Sequence, residues 1–326
     1  MLRAVRTLMV RVGISVLSLA GVFFLVRGEI AEGFARLAGI DVWFVGLAFA
    51  MNFLSLTIVS IRMSRIFSIQ GVHVPFRRSY YLWVISLFFN LFLPSAVGGD
   101  IAKAYYIARD SGKKVTAVTG VLLDRFFGLM STISVGFIAF IVGRDHIHDP
   151  HIGQVLFWVT AVVLIGVLFL MSRRFSKPAK SILFFMTPGR FHDRLKRIFE
   201  MLDLYRGRRA DFFMLYGYSL MAQALFVVMV YLLARSIGIR LPLTIFFLFM
   251  PLISVTAMLP SIGGLGVREA ATVYLFQMYL SLEEAVAISL VFDLFIYGIG
   301  GICGILYALR GGASIRELQG LEASNK

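Results

Sequence analysis

Twenty consecutive residues, Val42 to Ile61, carry no charged side chain. A helix of that length rises about 30 Å, the thickness of a bilayer's hydrocarbon core. Long apolar runs return along the chain, at Val115–Val142 with Asp124-Arg125 embedded, at Ile152–Met171, at Phe212–Leu233 and at Ala285–Leu309 with Asp293 embedded, with an earlier one at Val12–Val26. Within a bilayer every backbone polar group has to be satisfied internally, so such segments are helices. The fold class expected is an all-α polytopic integral membrane protein with about six full spans. The 59% hydrophobic and 15% charged composition agrees, as does the mean hydropathy of +0.85. The net charge of +14 does not call for nucleic acid. Basic residues gather in the predicted loops, where they orient spans by the positive-inside rule. That rule places the N- and C-termini in the cytoplasm. A single cysteine, Cys303, rules out an intramolecular disulfide. The apolar run after Arg3, Arg6 and Arg11 reads as a retained first helix, because no small-residue cleavage site follows it.

Two apolar runs end differently. Tyr80–Leu93 stops at Pro94, followed by Gly98 and Gly99; Leu243–Leu259 stops at Pro260, followed by Gly263, Gly264 and Gly266. Proline and paired glycines break helices. The first run has 14 residues and the second 17, short of a comfortable crossing. Lys103, Arg109, Lys113 and Lys114 beyond the first break are as basic as Arg62, Arg65, Arg77 and Arg78 before it. A full crossing would violate the charge rule. A re-entrant helical hairpin entering from the cytoplasmic side satisfies it. The second break leads to Glu283 and Glu284, an acidic exit that puts its hairpin on the opposite face.

The two halves share landmarks. Pro75 matches Pro242, Pro94 matches Pro260, and Leu123-Asp124-Arg125-Phe126 resembles Phe292-Asp293-Leu294-Phe295, at offsets of 167, 166 and 169 residues. With the opposed charge assignments this is an inverted-topology repeat, half one about 42–142 and half two about 212–309, in a single membrane domain. Such repeats place a substrate site at the bilayer midplane between paired broken helices. Between the halves, residues 173–209 carry eleven Lys/Arg against three Asp/Glu. Phe191, Leu195, Ile198, Phe199 and Leu202 recur there at helical spacing, which predicts a basic amphipathic connector on the inner leaflet.

A helix starting at membrane depth offers free N–H groups and a positive dipole end, and its glycines permit close approach. Such a place suits an anion, phosphate in particular. Charged side chains inside spans are costly and need a partner or a purpose. The candidate headgroup ligands are Arg125, with its planar guanidinium, Arg268, Lys103, and the glycines Gly98, Gly99, Gly263, Gly264 and Gly266. Asp100, Asp124, Glu269 and Asp293 are candidate charge partners or proton carriers, and Pro94 and Pro260 mark the breaks. The alternative is that Asp124-Arg125 and Arg268-Glu269 are internal pairs that only fix packing. Asp293 has no adjacent arginine in its own motif, so it is expected to pair across the repeat or to be protonated. Asn90, one turn before the first break, is expected to bond to freed carbonyls. His146, His148 and His151 with Asp145 and Asp149 form a metal-like cluster, but His-x-His in a loop is weak, and neither a metal nor a cofactor is expected. No Walker A, GxGxxG, HExxH or GxSxG motif occurs.

Three stretches are similar to a known family: Asn90-Leu-Phe-Leu-Pro-Ser-Ala-Val-Gly-Gly-Asp100, Leu122-Leu-Asp-Arg-Phe126, and Leu259-Pro-Ser-Ile-Gly-Gly-Leu-Gly-Val-Arg-Glu269. They resemble the lysylphosphatidylglycerol synthase transmembrane region, the flippase-like domain of the multiple peptide resistance factors. The resemblance implies a helical protein of the bacterial or archaeal inner membrane that moves a lipid between leaflets. Fused members carry a soluble aminoacyl-transferase domain. The chain ends at Lys326 without one, so lysyl-lipid synthesis is not expected of it, and it is not expected to be an enzyme. Stand-alone relatives are linked with polyprenyl-phosphate sugar carriers and hopanoids, which leaves the cargo open. The expected partners are membrane lipids, phospholipid or polyprenyl-phosphate-linked, with a homo-oligomer and a separately encoded lipid-modifying enzyme as further candidates. The alternatives are a secondary transporter of a small soluble anion and a non-catalytic membrane partner of a lipid-modifying enzyme. A membrane-embedded lipid-linked sugar transferase ranks last, for want of a large outer loop carrying an acid.

Overall fold

The computed structural model describes residues 36–92, 98–143, 208–257 and 264–309. These form eight helices, with no strand among the described residues: α1 (Val42–Ile69), α2 (Phe76–Phe92), α3 (Gly98–Ser111), α4 (Lys114–Val142), α5 (Arg209–Ser236), α6 (Leu243–Thr256), α7 (Val267–Phe276) and α8 (Leu282–Leu309). Four of them, α1, α4, α5 and α8, are long and apolar enough to cross a bilayer. The expected spans at Val12–Val26 and Ile152–Met171, the connector up to residue 207 and the histidine loop lie outside the described residues, as do Pro94, Pro260 and Gly263.

Each half runs long, short, break, short, long. Helices α1 and α5 both have 28 residues, while α4 has 29 and α8 has 28. At the helical rise these reach about 42 Å or more, so they exceed the hydrocarbon core. The short helices, of 17, 14, 14 and 10 residues, do not. Local signals set their ends. Asp41 caps α1, accepting a bond from the Trp43 amide at 2.9 Å. Gly266, at φ 82°, turns the chain into α7, in a left-handed conformation that favours glycine.

Helices α2 and α3 fold back on each other. Asn90 meets Gly99 beside the break, and Arg78 near the start of α2 meets Asp110 near the end of α3. Helices α6 and α7 do the same, with Gly264 facing Ala257 and Phe276 stacked against Phe246 and Phe249. The most extensive helix contact is α1 with α5. It runs antiparallel: the Asp41 amide bonds to the Ser236 carbonyl, Ser55 Oγ to the Ala222 carbonyl, and Arg62 to Ser219 Oγ. The halves also exchange partners, α4 packing on α6 and α8 on α2.

One difference from the sequence reading matters for the site. The second span was expected to end at Ile61, leaving Arg62 and Arg65 in a basic loop. Helix α1 instead continues to Ile69 and buries Arg62 to 3% exposure. The helix can continue because Asp124 on α4 neutralises the guanidinium inside the bundle. Around the outside, Trp43, Phe53, Ile138, Phe213, Leu294 and Ile305 are exposed, an apolar surface suited to lipid.

The α2–α8 seam depends on a small residue. A Cβ built on Gly304 collides with the Phe88 ring, whereas Gly301 one turn away faces open space. Gly304→Val is therefore expected to cost about 1–3 kcal/mol by overpacking, and Gly301→Ala close to nothing. Thermal unfolding of the two variants in detergent checks this, and equal shifts would contradict it.

Candidate functional site

The charged residues flagged in the sequence gather into two centres. The first joins α1, α3, α4 and α5. Asp124 is 2% exposed, and its Oδ1 accepts from Arg62 Nε at 2.9 Å and lies 2.8 Å from Arg62 Nη2. Both nitrogens converge on one carboxylate oxygen, a charge-assisted contact. Arg62 Nη1 also donates to Ser219 Oγ at 2.8 Å, which ties the second half to the first. Lys103 Nζ sits 2.8 Å from Asp100 Oδ1 and 3.7 Å from Asp124 Oδ2, and 3.6 Å above the Trp83 ring centroid. Arg125 Nε pairs with Asp100 Oδ2 at 2.9 Å. Among the described residues three cations thus meet two carboxylates. Arg125 is the most accessible of the five, its side chain 33% exposed against 15% for Asp100 and 4% or less for the others.

The second centre joins α7 and α8. Arg268 Nη2 lies 3.0 Å from Glu269 Oε1 and pairs with Asp293 Oδ1. The same nitrogen donates to Tyr297 Oη at 3.3 Å, and the guanidinium lies over the Phe292 ring. Glu269 Oε2 accepts from the Gly266 amide in a capping arrangement. Here two carboxylates meet one cation, the reverse of the first centre's balance. Arg268 Nε is buried without a hydrogen-bond partner among the described residues.

Several expectations are corrected by this geometry. Asp124 and Arg125 do not pair with each other: each takes a partner from another helix, Arg62 on α1 and Asp100 on α3. Arg268 and Glu269 do pair. Asp293 pairs with Arg268 within its own half, not across the repeat, because α7 packs against α8 one turn below Tyr297. Among the described residues Asn90 takes no freed carbonyl; its Oδ1 accepts the Gly99 amide at 2.8 Å. One N–H at each break is therefore already occupied by the protein itself, by Asn90 in the first and Glu269 in the second.

The glycines serve the backbone. A Cβ at Gly99 would collide with Ser86 and Asn90, so the close approach it permits is between α2 and α3. Gly98 is buried beside it. Gly264 and Gly266 adopt φ of 87° and 82°, the turn that redirects the chain into α7. Arg62 is the functional candidate that the sequence reading missed. The signal was present: Met63, Ile66 and Phe67 continue the apolar helical spacing past it and are all fully buried. Among the described residues no group of His, Cys, Asp and Glu could hold a metal.

No curated protein is significantly similar to the chain. The family model described as the lysylphosphatidylglycerol synthase TM region matches residues 8–304, which takes in both charged centres, both breaks and all but the end of the last helix. A membrane domain of paired broken helices, with ion pairs buried between its long spans, thus has a family: the chain belongs to the lysylphosphatidylglycerol synthase transmembrane region family.

Proposed function

We propose that the chain is a lipid translocase that moves an anionic, phosphate-bearing lipid between leaflets. The observation that carries this reading is the first centre. Among the described residues it gathers three cations and two carboxylates between the helices, with one guanidinium at the accessible edge, and cations held at such depth suit an anion. Arg125 lies at the accessible edge of the centre, and its guanidinium fits a phosphate bidentately. Lys103, anchored by Asp100 and Trp83, holds the charge behind it. The α2–α3 and α6–α7 pairs act as re-entrant hairpins, their helices too short to span. The halves act as an inverted repeat, a reading supported by the antiparallel packing of α1 on α5 at equivalent positions such as Ser55 and Ala222. Motion of one half against the other exposes the centre to each leaflet in turn, with acyl chains left in the bilayer. Arg268 is enclosed by its own carboxylates, so the headgroup end is the first centre and the second answers it with opposite charge. The membrane is the cell's inner membrane, with termini in the cytoplasm, and the role is transport without catalysis. The family's name ties such a domain to lipid modification, which favours a lipid cargo over a small soluble anion.

The test is inversion of fluorescent headgroup-labelled lipids in proteoliposomes. Wild-type protein should accelerate inversion of an anionic phospholipid or a polyprenyl phosphate over protein-free vesicles. Arg125→Ala should slow it at least about tenfold, the equivalent of one charge-assisted hydrogen bond, with thermal unfolding little changed. Wild-type rates in Arg125→Ala would remove Arg125 from the site, and protein-free rates for every lipid would remove the proposal.

A further inference from the structure

We infer that the chain carries a second phosphate site, separate from both charged centres, in a cleft where four helix ends meet. Helices α1 and α3 end at Ile69 and Ser111, and α2 and α4 begin at Phe76 and Lys114. Because α1 and α4 are long enough to cross the bilayer, their ends lie at the level of lipid headgroups. The turn from α1 into α2, with Gly71 at φ 72°, faces the turn from α3 into α4. Between them is a cleft of about 470 Å³ that includes His73, Arg78, Asp110 and Lys113 in its lining. That volume is in the range of small-ligand pockets.

The charges of the cleft are unevenly matched. Arg78 Nε is held by Asp110 Oδ2 at 2.7 Å, and its guanidinium lies over the Tyr81 and Tyr106 rings. The pairing fixes Arg78 in place and uses the one carboxylate in the lining. Lys113 Nζ reaches across the cleft mouth to the Gly71 carbonyl at 3.3 Å, an uncharged partner. His73 makes no side-chain hydrogen bond among the described residues. In the same turn both polar atoms of the Gln70 amide are shielded and unpartnered. Arg65, Arg77, Arg109 and Lys114, on the same helix ends, are exposed and lie outside the lining. A phosphate in the cleft would accept from Lys113 and His73 and lie against a pre-oriented Arg78, a set of charge-assisted bonds. Tyr80, Tyr81 and Tyr106 nearby suit the interfacial level. A merely basic loop would attract anionic lipid diffusely, and all its cations would count alike. The cleft predicts that the cations do not count alike.

The experiment compares two double variants that remove basic side chains from the same face. His73→Ala/Lys113→Ala removes two of the cleft's donors, and Arg65→Ala/Arg109→Ala, the rim variant, removes two exposed charges outside its lining. Each full-length protein is reconstituted in nanodiscs of phosphatidylcholine with a minor fraction of phosphatidylglycerol, and retained lipid is identified by native mass spectrometry. In discs of phosphatidylcholine alone, inorganic phosphate is titrated by calorimetry. The cleft variant should lose about tenfold in phosphate-group binding, and the rim variant less than about twofold. Selective retention of phosphatidylglycerol identifies the source as a lipid headgroup, and calorimetric binding of inorganic phosphate identifies it as a soluble phosphate. Equal losses in the two variants, or neither ligand bound by wild type, would overturn the site. Inversion rates in the cleft variant separate this inference from the translocase reading, since neither result depends on the other.

Discussion

Arg62→Leu should destabilise the chain by about 3–5 kcal/mol, the cost of leaving a buried ion without its partner. Arg62 holds Asp124 through two nitrogens and Ser219 through a third. Without it, Asp124 keeps only Lys103 Nζ at 3.7 Å, while 98% of its surface is hidden from water. The double variant Arg62→Leu/Asp124→Leu should recover most of the loss, because replacing a buried pair with apolar groups is often nearly neutral. It also leaves Asp100, Lys103 and Arg125 with their balance unchanged. If Asp124 served Arg125, the rescue would come instead from pairing Asp124→Asn with Arg125→Gln. A double-mutant cycle of unfolding in detergent decides between them. Coupling between Arg62 and Asp124 below about 1 kcal/mol, or rescue through Arg125, would refute the assignment.

The reason this pair was illegible in the sequence is physical. Positive-inside reasoning treats an arginine after twenty apolar residues as a loop residue, since an isolated charge at depth is prohibitive. A charge that finds a carboxylate 62 positions later escapes that rule, and separation in sequence gives no hint of it. The same limit misdirected Asp293, whose partner lies 25 residues away on a different helix. Adjacency misled in the opposite way at Asp124-Arg125, where each residue takes its partner from another helix. What the sequence made legible was what depends on composition and local backbone chemistry. The apolar runs of α1, α4, α5 and α8 were found within a turn or two at most ends. The breaks after α2 and α6 were found from their prolines and glycines. The residues that would form the charged centres were named from their cost in apolar surroundings, Arg62 excepted. Their pairings come from the packing of α1 and α3 on α4 and of α7 on α8, which no local signal encodes.

The second centre should respond to carboxylate removal in the opposite sense from the first, and that contrast tests the balance of charges among the described residues. Arg268→Leu leaves Glu269 and Asp293 close together without a cation, with Glu269 only 6% exposed. The expected loss is again about 3–5 kcal/mol, raised by repulsion between the carboxylates. Asp293→Asn removes the excess carboxylate and leaves Arg268 paired with Glu269 at 3.0 Å. The asparagine can still accept from Arg268, so this change should be nearly neutral or stabilising. In the first centre the same chemical change, Asp100→Asn, strips the carboxylate shared by Lys103 and Arg125. It leaves three cations facing Asp124 alone and should cost about 1–3 kcal/mol. Unfolding of the three variants side by side in one detergent provides the comparison. Should Asp293→Asn prove as damaging as Asp100→Asn, the opposed charge balance of the two centres would be wrong. The complementarity argued for an anionic headgroup between them would then lose its basis.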